Sequence, residues 1–172
     1  MIEKEIEVKI LGYSVDEYIQ ILEKIGAKKV GEESQVNYRF LDIKTENDSY
    51  LRLRVVNDEA TFTFKERTDD VNMRQNLEYS TSVSDPKTFL MIMDKIGMKY
   101  STEHKERIKY KYQDIFFDID KWDDEIYPYP YMEIEVKDEA ELGEIVKKLG
   151  IEKKNISTKS IRELVLDYKY SL

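Results

Sequence analysis

An alternation of period two, recurring along nearly the whole chain, constrains its fold more than any other feature. Residues 2–11 read IEKEIEVKIL: Glu3, Glu5, Glu7 and Lys9 share one parity, while Ile6, Val8 and Ile10 share the other. Successive side chains of a strand point to opposite faces, so such a segment has one apolar and one charged face. LRLR sets Arg52 and Arg54 opposite Leu51 and Leu53, and TFTFKER sets Thr61, Thr63, Lys65 and Arg67 opposite Phe62 and Phe64. NLEYSTSV sets Asn76, Glu78, Ser80 and Ser82 opposite Leu77 and Tyr79, and HKERIKYKY sets Lys105, Arg107, Lys109 and Lys111 opposite Ile108, Tyr110 and Tyr112. IFFDID sets Asp118 and Asp120 opposite Phe117 and Ile119, and YMEIEVK sets Glu133, Glu135 and Lys137 opposite Ile134 and Val136. The pattern predicts strands over 2–11, 35–42, 49–56, 60–67, 75–83, 101–112, 114–121 and 131–137. Turn residues NDE at 57–59 and QD at 113–114 make the adjoining pairs antiparallel hairpins.

Three segments instead carry helical signals. SVDEYIQILEKIG has a capping-box spacing between Ser14 and Glu17 and a stop at Gly26. SDPKTFLMIMDKIG has Ser84 or Asp85 as cap, Pro86 in the first turn and Gly97 as stop, and DEAELGEIVKKLG ends at Gly150. The recurring EKIGAKK, DKIGMKY and KKLGIEKK fit either a shared C-terminal capping chemistry or a repeated strand-helix-strand unit. No linker or low-complexity stretch divides the sequence, so residues 1–172 are expected to form one domain with helices outside a mostly antiparallel sheet.

Charge and composition then exclude several functions. A net charge of −8 argues against nucleic acid and against acidic membrane surfaces, which need a basic face. With no cysteine and one histidine, His104, any metal would be a hard cation held by carboxylates. There is no apolar leader and no apolar run near the roughly 20 residues of a bilayer span, so the expected location is the cytoplasm.

Two architectures satisfy the alternation. The charged faces can be solvated, as on many antiparallel sheets, or the sheet can curl with its charges inward and its apolar face under helices. Charge runs usually mark surface, which gives the solvated face precedence on periodicity alone. The charges, however, come as same-sign pairs two apart: Glu5/Glu7, Arg52/Arg54, Lys65/Arg67, Lys105/Arg107, Asp118/Asp120 and Glu133/Glu135. Such pairs repel unless an opposite charge sits between them, so acid pairs ask for cations and basic pairs for polyanions.

Glu5-x-Glu7-x-Lys9 resembles the ExExK signature of the CYTH superfamily, the triphosphate tunnel metalloenzymes, which includes class IV adenylyl cyclases, thiamine triphosphatases and inorganic triphosphatases. The resemblance continues in order through Arg52-x-Arg54, Lys65-x-Arg67, Glu78, Lys105-x-Arg107, Asp118-x-Asp120, Glu133-x-Glu135 and Lys159. It implies an α+β fold, an eight-stranded antiparallel β-barrel or tunnel with a charged interior and helices packed outside. It also implies that Lys9, Arg52, Arg54, Lys65, Arg67, Arg107, Lys109 and Lys159 bind phosphate, with Lys9, Lys65 and Arg107 catalytic. Glu5, Glu7, Asp118, Asp120, Glu133 and Glu135 would hold Mg²⁺ or Mn²⁺. Asn37, in VNYRF, stands where cyclase-like members often carry an acid, and Ile161, in KSIREL, where an aromatic is common.

The expected activity is metal-dependent hydrolysis of inorganic triphosphate or of an organic or nucleoside triphosphate. The alternative is a class IV adenylyl cyclase making cyclic AMP and pyrophosphate from ATP, and a further one is a non-catalytic polyphosphate- or nucleotide-binding module. The expected partner is therefore a small triphosphate, and an exposed apolar helix edge would permit a homodimer. Glu78 is read equally as a partner of a tunnel base or as a metal ligand. Lys105, Lys111 and Lys137 are expected at the rim or surface, and Trp122 as a core or rim anchor. The tyrosines of YPYPY are expected to pack an outer face or a loop, or to line a tunnel mouth.

Overall fold

The structure, a computed structural model, describes residues 2–41, 43, 49–68 and 74–170, with only the backbone described for residues 2–5 and 74. Among these residues nine strands and four α-helices follow in the order β1 (Ile2–Ile10), α1 (Val15–Lys24), β2 (Lys28–Phe40), β3 (Tyr50–Val56), β4 (Glu59–Thr68), β5 (Arg74–Ser82), α2 (Pro86–Lys95), β6 (Tyr100–Tyr112), β7 (Ile115–Trp122), β8 (Tyr131–Glu135), α3 (Glu139–Leu149), β9 (Ile156–Ser157) and α4 (Ile161–Tyr170). The order β5-β4-β3-β2-β6-β7-β8-β1 closes on itself because β1 also pairs with β5. An eight-stranded antiparallel barrel results, and β9 continues the edge of β1 beyond β5.

Register selects the inward face. Lys9 lies opposite Glu133, Glu133 opposite Asp118, Arg107 opposite Asp120, Arg54 opposite Asn37 and Lys65 opposite Glu78. Every charged parity identified in the sequence therefore meets its neighbours on the same side. A slip of one residue would turn the apolar set into the tunnel, which specifies the register strongly.

The apolar parity makes the core, outside the barrel. Ile6, Val8 and Ile10 of β1, Phe117 and Ile119 of β7, and Met132 and Ile134 of β8 are buried against Tyr18 and Leu22 of α1 and Leu142, Ile145 and Leu149 of α3. Tyr18 also donates from its hydroxyl to the Ile10 carbonyl at 2.6 Å, tying α1 to β1. A second cluster packs Phe40, Leu53 and Ala60 beneath Phe89, Leu90 and Met93 of α2.

Helix boundaries follow local chemistry. Ser14 and Glu17 form the reciprocal capping box, Asp85 caps α2 with Pro86 at its start, and Asp138 caps α3. Gly26, Gly97 and Gly150 all have φ between 72° and 85°, a region that side-chain-bearing residues avoid. Helix-stop chemistry thus accounts for the recurrent KIG and KLG stretches. Asn57 and Gln113 take positive φ in the two tight hairpin turns. Among the described residues no helix is long and apolar enough to cross a membrane.

Candidate active site: a charged tunnel

The tunnel cavity has about 820 Å³ of empty space, counting its open end. Among the described residues its lining carries seven cationic side chains, Lys9, Arg39, Arg52, Arg54, Lys65, Lys105 and Arg107, against four carboxylates, Glu7, Glu78, Glu103 and Glu133. In a chain of net charge −8, the described cavity lining is thus richer in cations than in carboxylates.

Arg107, midway along β6, is the hub of the acid side. Its Nε donates to Asp120 Oδ1 at 2.6 Å, one Nη to Asp120 Oδ2 at 2.7 Å and to Glu133 at 2.8 Å, and the other Nη to Asp118. Burial opposes its charge, but Asp120, Glu133 and Asp118 outweigh burial and hold its pKa well above the usual value. Asp120 is fully buried, and Lys105 also donates to it at 2.7 Å. Lys9 bridges Glu7 at 3.3 Å and Glu133 at 3.0 Å. Despite burial, Lys9, Arg107 and Lys105 draw Glu133 well below the usual carboxylate range. Asp118 and Asp120 find their cations on the neighbouring β6 and Glu133 finds one on the neighbouring β1, whereas Glu7 pairs with Lys9 of its own strand; these opposite charges answer the like-charge problem posed by the sequence.

The opposite wall is not balanced in this way. Lys65 pairs with Glu78 at 2.7 Å. Among the described residues, however, neither Arg52 nor Arg54 forms an ion pair: Arg54 Nε donates to the neutral Asn37 at 3.3 Å, and Arg52 Nε has no partner. Burial, with Arg52 and Arg107 close by, lowers the Arg54 pKa to about 10. This is the response of a cation short of counter-charge.

One end of the tunnel is shaped by α4 and by aromatic residues. Trp122 donates to the Tyr131 hydroxyl at 2.7 Å, and both line the cavity, where Lys105 lies 5.2 Å from the Trp122 ring and Lys9 5.6 Å from the Tyr131 ring. Tyr127 packs with them and with Leu164 of α4, whereas Tyr129 is largely exposed. Ser160 and Ile161, at the start of α4, also face the cavity, and Glu163 pairs with Arg67 at 3.3 Å.

The structure brings Lys9, Arg52, Arg54, Lys65, Arg107, Glu7, Asp118, Asp120 and Glu133 together, with Glu135 at an exposed end of the same inward row. The side chain of Glu5 lies outside the described residues; its backbone pairs opposite Asn76. Arg67 sits at the α4 mouth, and Lys109 pairs with Glu33 towards the other end at 2.9 Å. Lys159 does not join the tunnel: it is half-exposed and paired with Asp167 at 2.6 Å. Lys105 is corrected from a rim position to a buried one, because it shares the inward parity of Arg107 and lies deep within β6. Lys137 is exposed, as expected. Arg39, Tyr50 and Glu103 were not picked out from the sequence, whereas Tyr131, a tyrosine of YPYPY that shares the parity of Glu133, takes the tunnel-lining one of the places expected for that stretch.

Among the described residues no three acids or histidines already converge as a metal cage. The donor set nonetheless suits a hard divalent cation. Asp118 Oδ1 is buried without a partner. Burial first, and then nearby carboxylates, push the Asp118 and Glu135 pKa values up: Glu133 and Asp120 act on Asp118, and Asp118, Glu7 and Glu133 on Glu135. Crowded carboxylate oxygens that repel one another are what such an ion binds.

A CYTH domain profile matches residues 3–161. Nothing among curated protein sequences matches the chain. In fold it is similar to the PH1012 protein of Pyrococcus horikoshii, with 24% identity, 93% of this chain and 98% of that one covered, and a TM-score of 0.79. A Vibrio parahaemolyticus protein provisionally assigned as an adenylate cyclase superposes with a TM-score of 0.71 at 14% identity, covering 96% of this chain and 98% of that one. A Hippeastrum protein provisionally assigned as an adenylyl cyclase, with a dominant triphosphatase activity described for it, superposes at 0.62 and 14% identity over 91% of each chain. With the profile spanning nearly the whole chain and the closed, inward-charged barrel behind it, the protein belongs to the CYTH domain family.

Proposed function

We propose that residues 1–172 act as one cytoplasmic tunnel domain that hydrolyses a triphosphate with the help of Mg²⁺ or Mn²⁺. The observation that carries this reading is the unbalanced wall: among the described residues Arg52 and Arg54 face the cavity with no carboxylate at ion-pair distance, beside acids crowded enough to want a cation. Arg52 and Arg54 hold phosphate oxygens on one side, and guanidinium groups suit that task because their fork presents several N–H donors at once. Lys9, Lys65 and Arg107 approach from three other strands and offset charge as the bridging P–O bond breaks and water adds to phosphorus. Asp120 has both oxygens occupied by Lys105 and Arg107, so it serves to fix Arg107. The divalent ion falls to Glu7, Asp118, Glu133 and Glu135, with Glu5 from the same strand as Glu7. When bound, it would polarise the phosphoryl oxygens and lower the pKa of an attacking water.

A second reading, cyclisation of ATP, draws on the resemblance to proteins provisionally assigned as adenylate cyclases. One experiment separates the two. Purified protein is given inorganic triphosphate or ATP with Mg²⁺ or Mn²⁺, and phosphate, pyrophosphate and cyclic AMP are resolved, with Asp118→Asn as control. Metal-dependent phosphate release that is lost in the variant supports hydrolysis. Cyclic AMP with equimolar pyrophosphate favours the cyclase instead, and no turnover of either substrate refutes the reading as stated.

A further inference from the structure

Asn37 is a neutral side chain set among tunnel charges, and its hydrogen bonding fixes which way its amide points. It is 1% exposed and lines the cavity. Its Oδ1 accepts from Arg54 Nε at 3.3 Å. The flipped amide would set NH₂ against the guanidinium N–H, donor against donor, so Arg54 dictates the orientation. Nδ2 is thereby left as a buried donor without a partner. The carboxylate opposite it on β6, Glu103, accepts from Ser101 Oγ at 3.0 Å and is not bonded to Asn37. Beyond Glu103, the cavity side chains next to Asn37 on β2 and β3 include Arg39, Arg52 and Arg54, which are donors too, and Arg52 Nε is likewise unpartnered. What these groups lack is acceptor oxygen carrying negative charge. A cation cannot supply it, whereas a polyphosphate supplies it several times over.

We propose that Asn37 is a phosphate-binding residue, donating through Nδ2 to the polyanion held by Arg52 and Arg54, and that its neutrality leaves both guanidinium charges available for that ligand. This inference rests on the triphosphate reading above and adds to it a residue that the charge pattern does not pick out. An aspartate at this position would accept from Arg54 equally well. It would also neutralise part of the wall and turn an acceptor, instead of a donor, towards the phosphate.

The test is Asn37→Asp, which keeps the size of the side chain and the acceptor for Arg54. Inorganic tripolyphosphate is titrated calorimetrically into wild type and variant in EDTA at low salt, where metal-dependent turnover is off, and melting temperatures are recorded in parallel. The expected result is binding weakened by about tenfold or more, from loss of a hydrogen bond to a charged ligand, with a melting temperature at or above that of wild type. Should the melting temperature fall, Asn37→Ala carries the test, since it removes the donor without adding charge. Binding equal to wild type in an intact variant overturns this inference alone. Failure of the wild type itself to bind tripolyphosphate overturns the triphosphate reading and this inference with it.

Discussion

Replacing Arg107 by glutamine should be the most damaging single change in the tunnel. Arg107 is shared by Asp118, Asp120 and Glu133, and glutamine removes the charge while keeping much of the side-chain length. Asp120 would then be left, fully buried, with Lys105 as its remaining cation. Removing one partner from a buried ion pair costs about 3–5 kcal/mol, because the other charge stays buried and uncompensated. For a chain of 172 residues each kcal/mol lowers the melting temperature by about 2–4 °C, so a loss of about 6–20 °C is expected by calorimetry or circular dichroism. The same variant leaves three acids short of a cation, so Mn²⁺ should raise its melting temperature by more than it raises that of wild type. A melting temperature within about 2 °C of wild type would refute the reasoning, since Asp120 could not then depend on Arg107 for its charge balance.

The pairing of Glu78 with Lys65 links stability to acid. Burial works against ionised Glu78, but Lys65 and Arg52 hold its pKa below the ordinary value. Its contribution is therefore complete above the unfolded-state value, about 4.3, and is lost as pH falls through the lower folded-state value. Urea unfolding at about pH 6 and about pH 3.5 should show a smaller acid loss in Glu78→Gln than in wild type. Tyr18→Phe should cost about 1–3 kcal/mol in the same assay, because it strips a buried hydrogen bond from the Ile10 carbonyl. Gly150→Ala meets no neighbouring atom, so its cost, about 1 kcal/mol, should reflect the positive φ alone.

Side-chain alternation is a property of two adjacent residues, so strand faces could be read directly from the sequence, and helix ends were legible for the same reason. Ser14 with Glu17, Asp85 with Pro86, and the positive φ at Gly150 all act within a few residues. The misses were non-local. β2 begins at Lys28, well before the expected residue 35, because KKVGEES has no alternation to announce it and is held by pairing with β6, across a bulge between Lys29 and Gly31. β9, two residues long, owes its extended form to β1.

By itself the sequence determined that each strand would have one charged and one apolar face, and that like charges would recur two residues apart. Tertiary structure decided which face turned inward, because closure depends on β1 meeting β5, whose partner residues lie some seventy positions away along the chain. It also decided which charges would be cancelled. Arg107 and Arg54 look alike in sequence, each one of a pair of bases on an alternating strand, yet Arg107 faces three carboxylates across β7 and β8, while Arg54 faces Asn37. Charges interact through distance in space, and in a closed barrel that distance is set by which strands are neighbours.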